Sequence, residues 1–234
     1  MMPPTVATAG LVTGERLTVE EFLRRWEEIP ELKRAELIDG VVYVPSPVSF
    51  EHGHLDLLVH WWLQHYSQAT PGCEGGSNST WLMQGSAPQP DAYLRISPSH
   101  GGQSGNAGNM GAGAPELVVE ISFSSTEIDF GPKLRLYQRA GVREYITIER
   151  FGPRVVWRVL EDGTYAAQTV PADGIVRSQI FPGLWLDVAA FWADDGAKML
   201  AALNAGLASE EHGTFVEHLR AKLKLAPQVD RLDR

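Results

Sequence analysis

The groups in this chain best suited to chemistry are two carboxylates and one lysine. Asp91 follows Pro90, Glu120 lies inside Leu117-Val118-Val119-Glu120-Ile121-Ser122, and Lys133 follows Pro132 just beyond Asp129-Phe130-Gly131. Carboxylate oxygens suit a hard cation such as Mg²⁺, and a lysine can orient or deprotonate an attacking water. Two strand-borne carboxylates joined by a downstream lysine are the parts that metal-dependent phosphodiester hydrolysis requires.

Composition bounds this reading. The chain has 234 residues, 44% hydrophobic and 21% charged, enough for one domain with appendages. No apolar run approaches the roughly 18 residues of a membrane span. Met1 to Gly14 lacks the basic-then-apolar order of a secretory signal, so a cytoplasmic protein is expected. The single cysteine, Cys73, excludes an internal disulfide framework and a cysteine-rich zinc site. A net charge of −9 argues against a general nucleic-acid coat. From Gly131 to Arg158, however, seven lysines and arginines oppose only Glu144 and Glu149, a local +5. That segment either faces a polyanion or solvates a helix and a strand.

The elements that must position these groups follow an α/β order. Thr18-Val19-Glu20-Glu21 reads as a capping box before a short helix that ends ahead of Pro30. Glu36 to Val44 is a hairpin around Asp39-Gly40, with Glu36 at its opening and Asp39 serving the turn. From Glu51, the spacing of Leu55, Leu58, Val59, Trp62, Leu63 and Tyr66 predicts an amphipathic helix ending before Pro71-Gly72. Ser79 to Met83 and Ala92 to Ile96 read as strands, and the glycine-rich stretch 100–115 as a mobile loop that either orders on substrate or acts as a spacer. Leu117 to Ile121 is a continuous apolar run, the mark of a strand covered on both faces, so Glu120 inside it needs a partner.

Pro132 opens a helix that Gly141 stops, and Arg143 to Ile148 is the next strand. Val155 to Leu160, Thr164 to Val170 and Ile175 to Phe181 form an antiparallel series. Val188 to Leu207 and Glu210 to Leu225 are helical, and the last residues are frayed. The chain thus divides into a flexible segment 1–17, a domain 18–194 and a helical extension 195–234.

Lys133 falls in the first helical turn, where the helix dipole disfavours a cation by roughly 0.3 to 1 kcal/mol. A carboxylate pair nearby would offset that; without one, Lys133 is an exposed lysine. Asp129 either caps the helix or orients Lys133. His52, His54, His60 and His65 raise the question of zinc, but His52 and His60 lie about two helical turns apart and His65 points elsewhere, so most read as solvated or packing residues. Trp26, Trp62, Trp185 and Trp192 read as core, and Trp61 and Trp81 stay open.

The series Ala35-Glu36-Leu37-Ile38-Asp39-Gly40, Ser46-Pro47 with His52, Pro90-Asp91, Leu117 to Ile121, Asp129 to Lys133, Tyr137, Gly141 to Tyr145 and Phe181-Pro182-Gly183-Leu184 resembles the Uma-two family of restriction-endonuclease-like proteins, in the PD-(D/E)XK nuclease superfamily. The resemblance runs from about Thr18 to Phe191. It implies a central mixed sheet flanked by helices and a Mg²⁺ site, with Mn²⁺ as a substitute, held by Asp91, Glu120 and Glu36. Ser122 stands where the superfamily carries lysine, and Lys133 on the following helix is the matching residue. His52 also matches a family position and is expected to support the site near the substrate. The implied activity is hydrolysis of DNA, and double-strand cutting implies a homodimer. The alternative is an inactive scaffold of the same fold that binds nucleic acid or a protein partner.

Overall fold

In the computed structural model, residues 10–45, 49–122 and 126–225 are described. Ser46-Pro47, most of the N-terminal segment expected to be flexible and the tail expected to fray lie outside them. The elements run α1 (Val19–Glu27), β1 (Glu36–Ile38), β2 (Val41–Tyr43), α2 (Phe50–Ala69), β3 (Cys73–Ser77), β4 (Trp81–Leu82), β5 (Ala92–Ile96), β6 (Gly105–Ala107), β7 (Met110–Ala112), β8 (Leu117–Ser122), α3 (Thr126–Asp129), α4 (Pro132–Ala140), β9 (Glu144–Glu149), β10 (Arg154–Glu161), β11 (Thr164–Ala167), β12 (Ile175–Arg177), β13 (Trp185–Asp187), α5 (Val188–Trp192), α6 (Gly196–Leu207) and α7 (Glu210–Leu225). Among the described residues no helix is long and apolar enough to cross a membrane.

Strand β8 is buried at every position, as its unbroken apolar run requires, and it lies in the middle of a six-stranded sheet ordered β11-β10-β9-β8-β5-β3. It pairs parallel with β9 and antiparallel with β5, so the sheet is mixed. Side chains alternate across a strand. Leu117, Val119 and Ile121 pack with Leu55, Val59 and Trp62 of α2, whereas Val118 packs with Leu136 and Tyr137 of α4. The sheet is therefore sandwiched between α2 and α4. The β1–β2 hairpin forms around Asp39 and Gly40, both at positive φ (51° and 75°), as the Asp-Gly signal predicts.

Several expected elements differ. The stretch 100–115 is ordered: β6 and β7 form a hairpin, and β7 pairs with β4 to make a separate three-stranded sheet. The strand expected over Ser79 to Met83 is reduced to β4 in this small sheet, and β3, which the sequence reading lacked, forms the edge of the main one. Glycine explains both. A Cβ on Gly111 would lie 2.4 Å from the Trp81 ring, and one on Gly76 would lie 2.3 Å from the Tyr93 hydroxyl oxygen. These two aromatics meet edge to face with centroids 4.9 Å apart, so the glycines make room for an aromatic pair. Trp81 is accordingly a buried packing residue.

Further along the chain, the strand expected over Ile175 to Phe181 stops at Arg177 and pairs with β13, not β11. The helix expected over Val188 to Leu207 breaks at Asp194, which takes a left-handed φ of 54°, and Asp195 caps α6 by accepting from the Lys198 N–H. Beyond residue 194, Met199, Leu203 and Leu219 join the apolar core under α2.

Glu144 opens β9 fully buried, with its carboxylate accepting from the Ser178 hydroxyl (2.6 Å) and the Gln179 N–H (2.8 Å). Burial pushes its carboxyl up to about 7. The folded state therefore holds a proton that the unfolded chain releases at lower pH. This contribution is complete below about pH 4.5 and is lost as pH rises through about 7.

Two outcomes test this packing. Gly111→Ala should lower the stability by about 1 to 3 kcal/mol through overpacking, read as a lower denaturant midpoint; an unchanged midpoint would contradict the close approach to Trp81. Glu144→Gln, which mimics the protonated acid, should match wild type at pH 4 to 5 and exceed it at pH 8, by on the order of 2 to 3 kcal/mol at about 1.4 kcal/mol per pH unit. Equal differences at both pH values would refute the buried-carboxyl account.

Candidate active site

The alternation that sends Val118 toward α4 sends Glu120 and Ser122 the same way. Helix α4 begins at Pro132, so Lys133 and Tyr137, one turn apart, share the face that meets β8. Lys133 Nζ lies 2.9 Å from Glu120 Oε1 and 2.9 Å from Glu36 Oε1, and the Tyr137 hydroxyl donates to the same Glu120 oxygen at 2.7 Å. Glu36 is the first residue of β1, and its Oε1 also accepts the Gln89 N–H at 2.7 Å, which ties the hairpin to the segment leading into Asp91.

Asp129 does not cap α4, whose N-cap is Gly131 with no side-chain bond. Its Oδ1 stands 3.8 Å from Lys133 Nζ, and its Oδ2 accepts from the Ser122 hydroxyl at 2.7 Å. Ser122 thus holds Asp129 in place.

Asp91, buried just before β5, meets a second set of groups. Its Oδ2 accepts the Ile121 N–H at 2.8 Å, which locks it to β8. Its Oδ1 is 3.2 Å from Arg34 Nη2 and 3.6 Å from His52 Nε2, an ion-pair distance for the imidazole. Its backbone carbonyl meets His60 Nε2 at 2.9 Å. The sequence-derived residues therefore form two adjacent groups. Glu36, Glu120 and Asp129 surround the Lys133 ammonium, with Ser122 bonded to Asp129, and Asp91 meets His52 of α2.

Asp56 escaped the sequence reading. His52, Asp56 and His60 recur every four residues on α2, the spacing of a single helix face, and the intervening aspartate was the available signal. Among the described residues, His52, Asp56 and Asp91 form a group whose ligand atoms all lie within 4.8 Å of one another. His54 instead faces Asp194 at 3.2 Å, and His65 neighbours the Trp61 ring, so the histidines do not converge as a zinc set. Arg34 was also missed; nothing in the local pattern around it marks a distant carboxylate partner.

Burial alone would favour the neutral form of Lys133, but the carboxylates of Glu120, Glu36, Asp129 and Asp91 outweigh it and hold its pKa well above the ordinary value. Burial pushes Glu120 well above the carboxylate range, and its negative neighbours push the same way against Lys133. Burial also opposes ionisation of Asp91, yet His52, Lys133 and the Ile121 N–H bring its net pKa below the usual value. The Lys133 ammonium thus acts on four carboxylates, and Arg34 pairs with Asp91. This surplus of buried oxygen donors fits a hard divalent cation.

A central mixed sheet flanked by helices is the architecture of a restriction-endonuclease-like core. The Uma2 family model, described as "Putative restriction endonuclease", matches residues 19–189, and the chain belongs to that family. The same fold occurs in a solved structure from Anabaena variabilis described as a "putative nuclease belonging to DUF820", with a TM-score of 0.58 at 14% identity, over 76% of this chain and 98% of that one. No curated protein sequence matches the chain significantly.

Removing Lys133 leaves buried Glu120 and half-buried Glu36 without their shared counter-charge. Lys133→Met should destabilise the fold by about 3 to 5 kcal/mol, and adding Glu120→Gln should recover a measurable part. Strict additivity of the two substitutions in denaturant melts would show that the pair is not coupled.

Proposed function

We propose that this protein is a metal-dependent endonuclease that hydrolyses DNA phosphodiester bonds, with Asp91, Glu120 and Glu36 as the carboxylates that hold Mg²⁺ or Mn²⁺. The observation that carries the reading is the Lys133 ammonium, buried and held 2.9 Å from both Glu120 and Glu36. A buried lysine among acids, adjoining a further strand-borne aspartate, supplies an anion-orienting donor beside a cation site. The cation contributes Lewis-acid polarisation of the phosphodiester.

The chain's own groups supply the rest. Lys133 holds its proton while the carboxylates surround it, so it orients the attacking water as a hydrogen-bond donor. Glu120 and Glu36 would supply carboxylate oxygens to such a cation, with the Lys133 ammonium beside them as the hydrogen-bond donor. Tyr137 keeps Glu120 directed at the site through its 2.7 Å bond, and Ser122 keeps Asp129 beside the lysine. His52 stands next to Asp91 as a supporting group.

The DNA part of the reading rests on the family and on the basic segment after Gly131. Within that segment Lys133 points inward, Arg139 pairs with Asp39, Arg150 with Glu51 and Arg154 with Glu149, which leaves a narrower basic surface than the sequence count implies. Arg154 and Arg158 flank the Phe130 ring, at 5.6 and 4.9 Å from its centroid, one residue from Asp129. Cutting both strands from one such site per chain calls for a homodimer, and a cytoplasmic location is consistent with the lone buried Cys73.

With Mg²⁺ or Mn²⁺, the purified protein should nick or cut DNA. Asp91→Asn and Glu120→Gln should each reduce cutting by at least about 100-fold, the scale on which loss of one charge-stabilising group acts, with circular dichroism unchanged. Equal backgrounds for wild type and variants on single-stranded, double-stranded and branched DNA would eliminate the enzyme reading. DNA binding without any cutting would favour the scaffold alternative.

A further inference from the structure

The carboxylates around Lys133 already have a positive partner, whereas the group on the other side of Asp91 has the makings of a site of its own. His52 and Asp56 project from one face of α2 toward Asp91, and their ligand atoms lie within 4.8 Å of one another. His52 Nε2 and Asp91 Oδ1 are 3.6 Å apart. Two ligands bound at about 2.1 Å to one octahedral cation lie roughly 3.0 Å apart when adjacent and 4.2 Å when opposite, so this pair already has a bridging separation. Asp56 Oδ1 is buried and makes no hydrogen bond. His60 Nε2 stands 3.4 Å from it, an ion-pair distance, and lies 2.9 Å from the Asp91 carbonyl. This oxygen of a half-buried side chain, beside an imidazole nitrogen and a second carboxylate, belongs to a donor set whose chemistry suits a cation.

We propose that His52, Asp56 and Asp91 form a second cation position, sharing Asp91 with the Glu120 side of the site and selective for Mn²⁺-type ions over Mg²⁺. The proposal deepens the metal-dependent reading above and rests on it for the shared role of Asp91. Selectivity follows from the donor set. An imidazole nitrogen suits first-row transition ions, whereas Mg²⁺ prefers oxygen ligands and retains its waters. Arg34 enters the same argument as a competitor, since its guanidinium lies 3.2 Å from the Asp91 oxygen that the cation would take. It neutralises Asp91 in the absence of the ion and opposes its entry.

The test is Mn²⁺ binding to the full chain without DNA, by calorimetry and by electron spin resonance with spin-echo detection of nitrogen coupling. Wild type should bind Mn²⁺ with an imidazole nitrogen signal. His52→Asn should remove that signal, and both His52→Asn and Asp56→Asn should weaken Mn²⁺ at least about tenfold, the lower end of what perturbing a metal's ligand shell costs. Mg²⁺ affinity should change less in His52→Asn, and Arg34→Gln should tighten Mn²⁺. Absence of nitrogen coupling, or Mn²⁺ affinity lost only in Glu120→Gln and retained in both α2 variants, would overturn the second position. Mn²⁺ binding of the expected kind in a protein that cuts no DNA would leave this inference standing while the nuclease reading fell. Because Asp56→Asn and His52→Asn nearly preserve shape, an unaltered melting profile separates lost ligation from lost folding.

Discussion

The structure around the site depends on one buried ammonium. Lys133 is 4% exposed, and the removal of its charge from water would be prohibitive without the carboxylates of Glu120 and Glu36 at 2.9 Å. Those two acids come from different elements, β8 and β1, so the lysine joins the central sheet, the N-terminal hairpin and α4 at one point. Asp129 and Ser122 extend the same network along the α4 side. A neutral side chain at position 133 would leave the acids without a counter-charge, and a shorter cation could not reach both.

The network is asymmetric in charge, and that asymmetry gives the site its chemical character. Asp91 stays ionised because the Ile121 N–H, His52 and the Lys133 charge favour its anion, while Glu120 is pushed toward its neutral form by burial and by the acids around it. The two carboxylates thus differ in proton affinity because of their surroundings.

Around this centre the fold is built to keep β8 dry. Helix α2 covers one face of the strand and α4 the other, and the Trp81–Tyr93 pair packs closely on Gly111 and Gly76. The helices after residue 194 continue the core beneath α2, and the His212 imidazole meets the Thr70 hydroxyl at 2.9 Å, fastening α7 to the end of α2. The candidate site thus stands on elements whose positions are set by packing on both sides.

The local signals read directly from sequence were those with a short-range physical cause. Asp39-Gly40 marks its turn because both residues take positive φ, Pro132 and Gly141 bound α4 through their own backbone constraints, and the unbroken apolar run around Glu120 marks a strand buried on both faces. The same reading took the glycines of 100–115 as a sign of mobility, because composition does not show that a Cβ at Gly111 would strike Trp81. It also passed over Asp56 and Arg34, whose importance lies in meeting an aspartate far along the chain. The sequence by itself determined the residue types, the alternation that turns Glu120 toward α4, and the one-turn spacing of Lys133 and Tyr137. Only the tertiary structure decided that the ammonium reaches both Glu120 and Glu36 while Asp91 turns to His52 and Arg34. Those distances depend on how separate elements pack against each other, and no local periodicity encodes them.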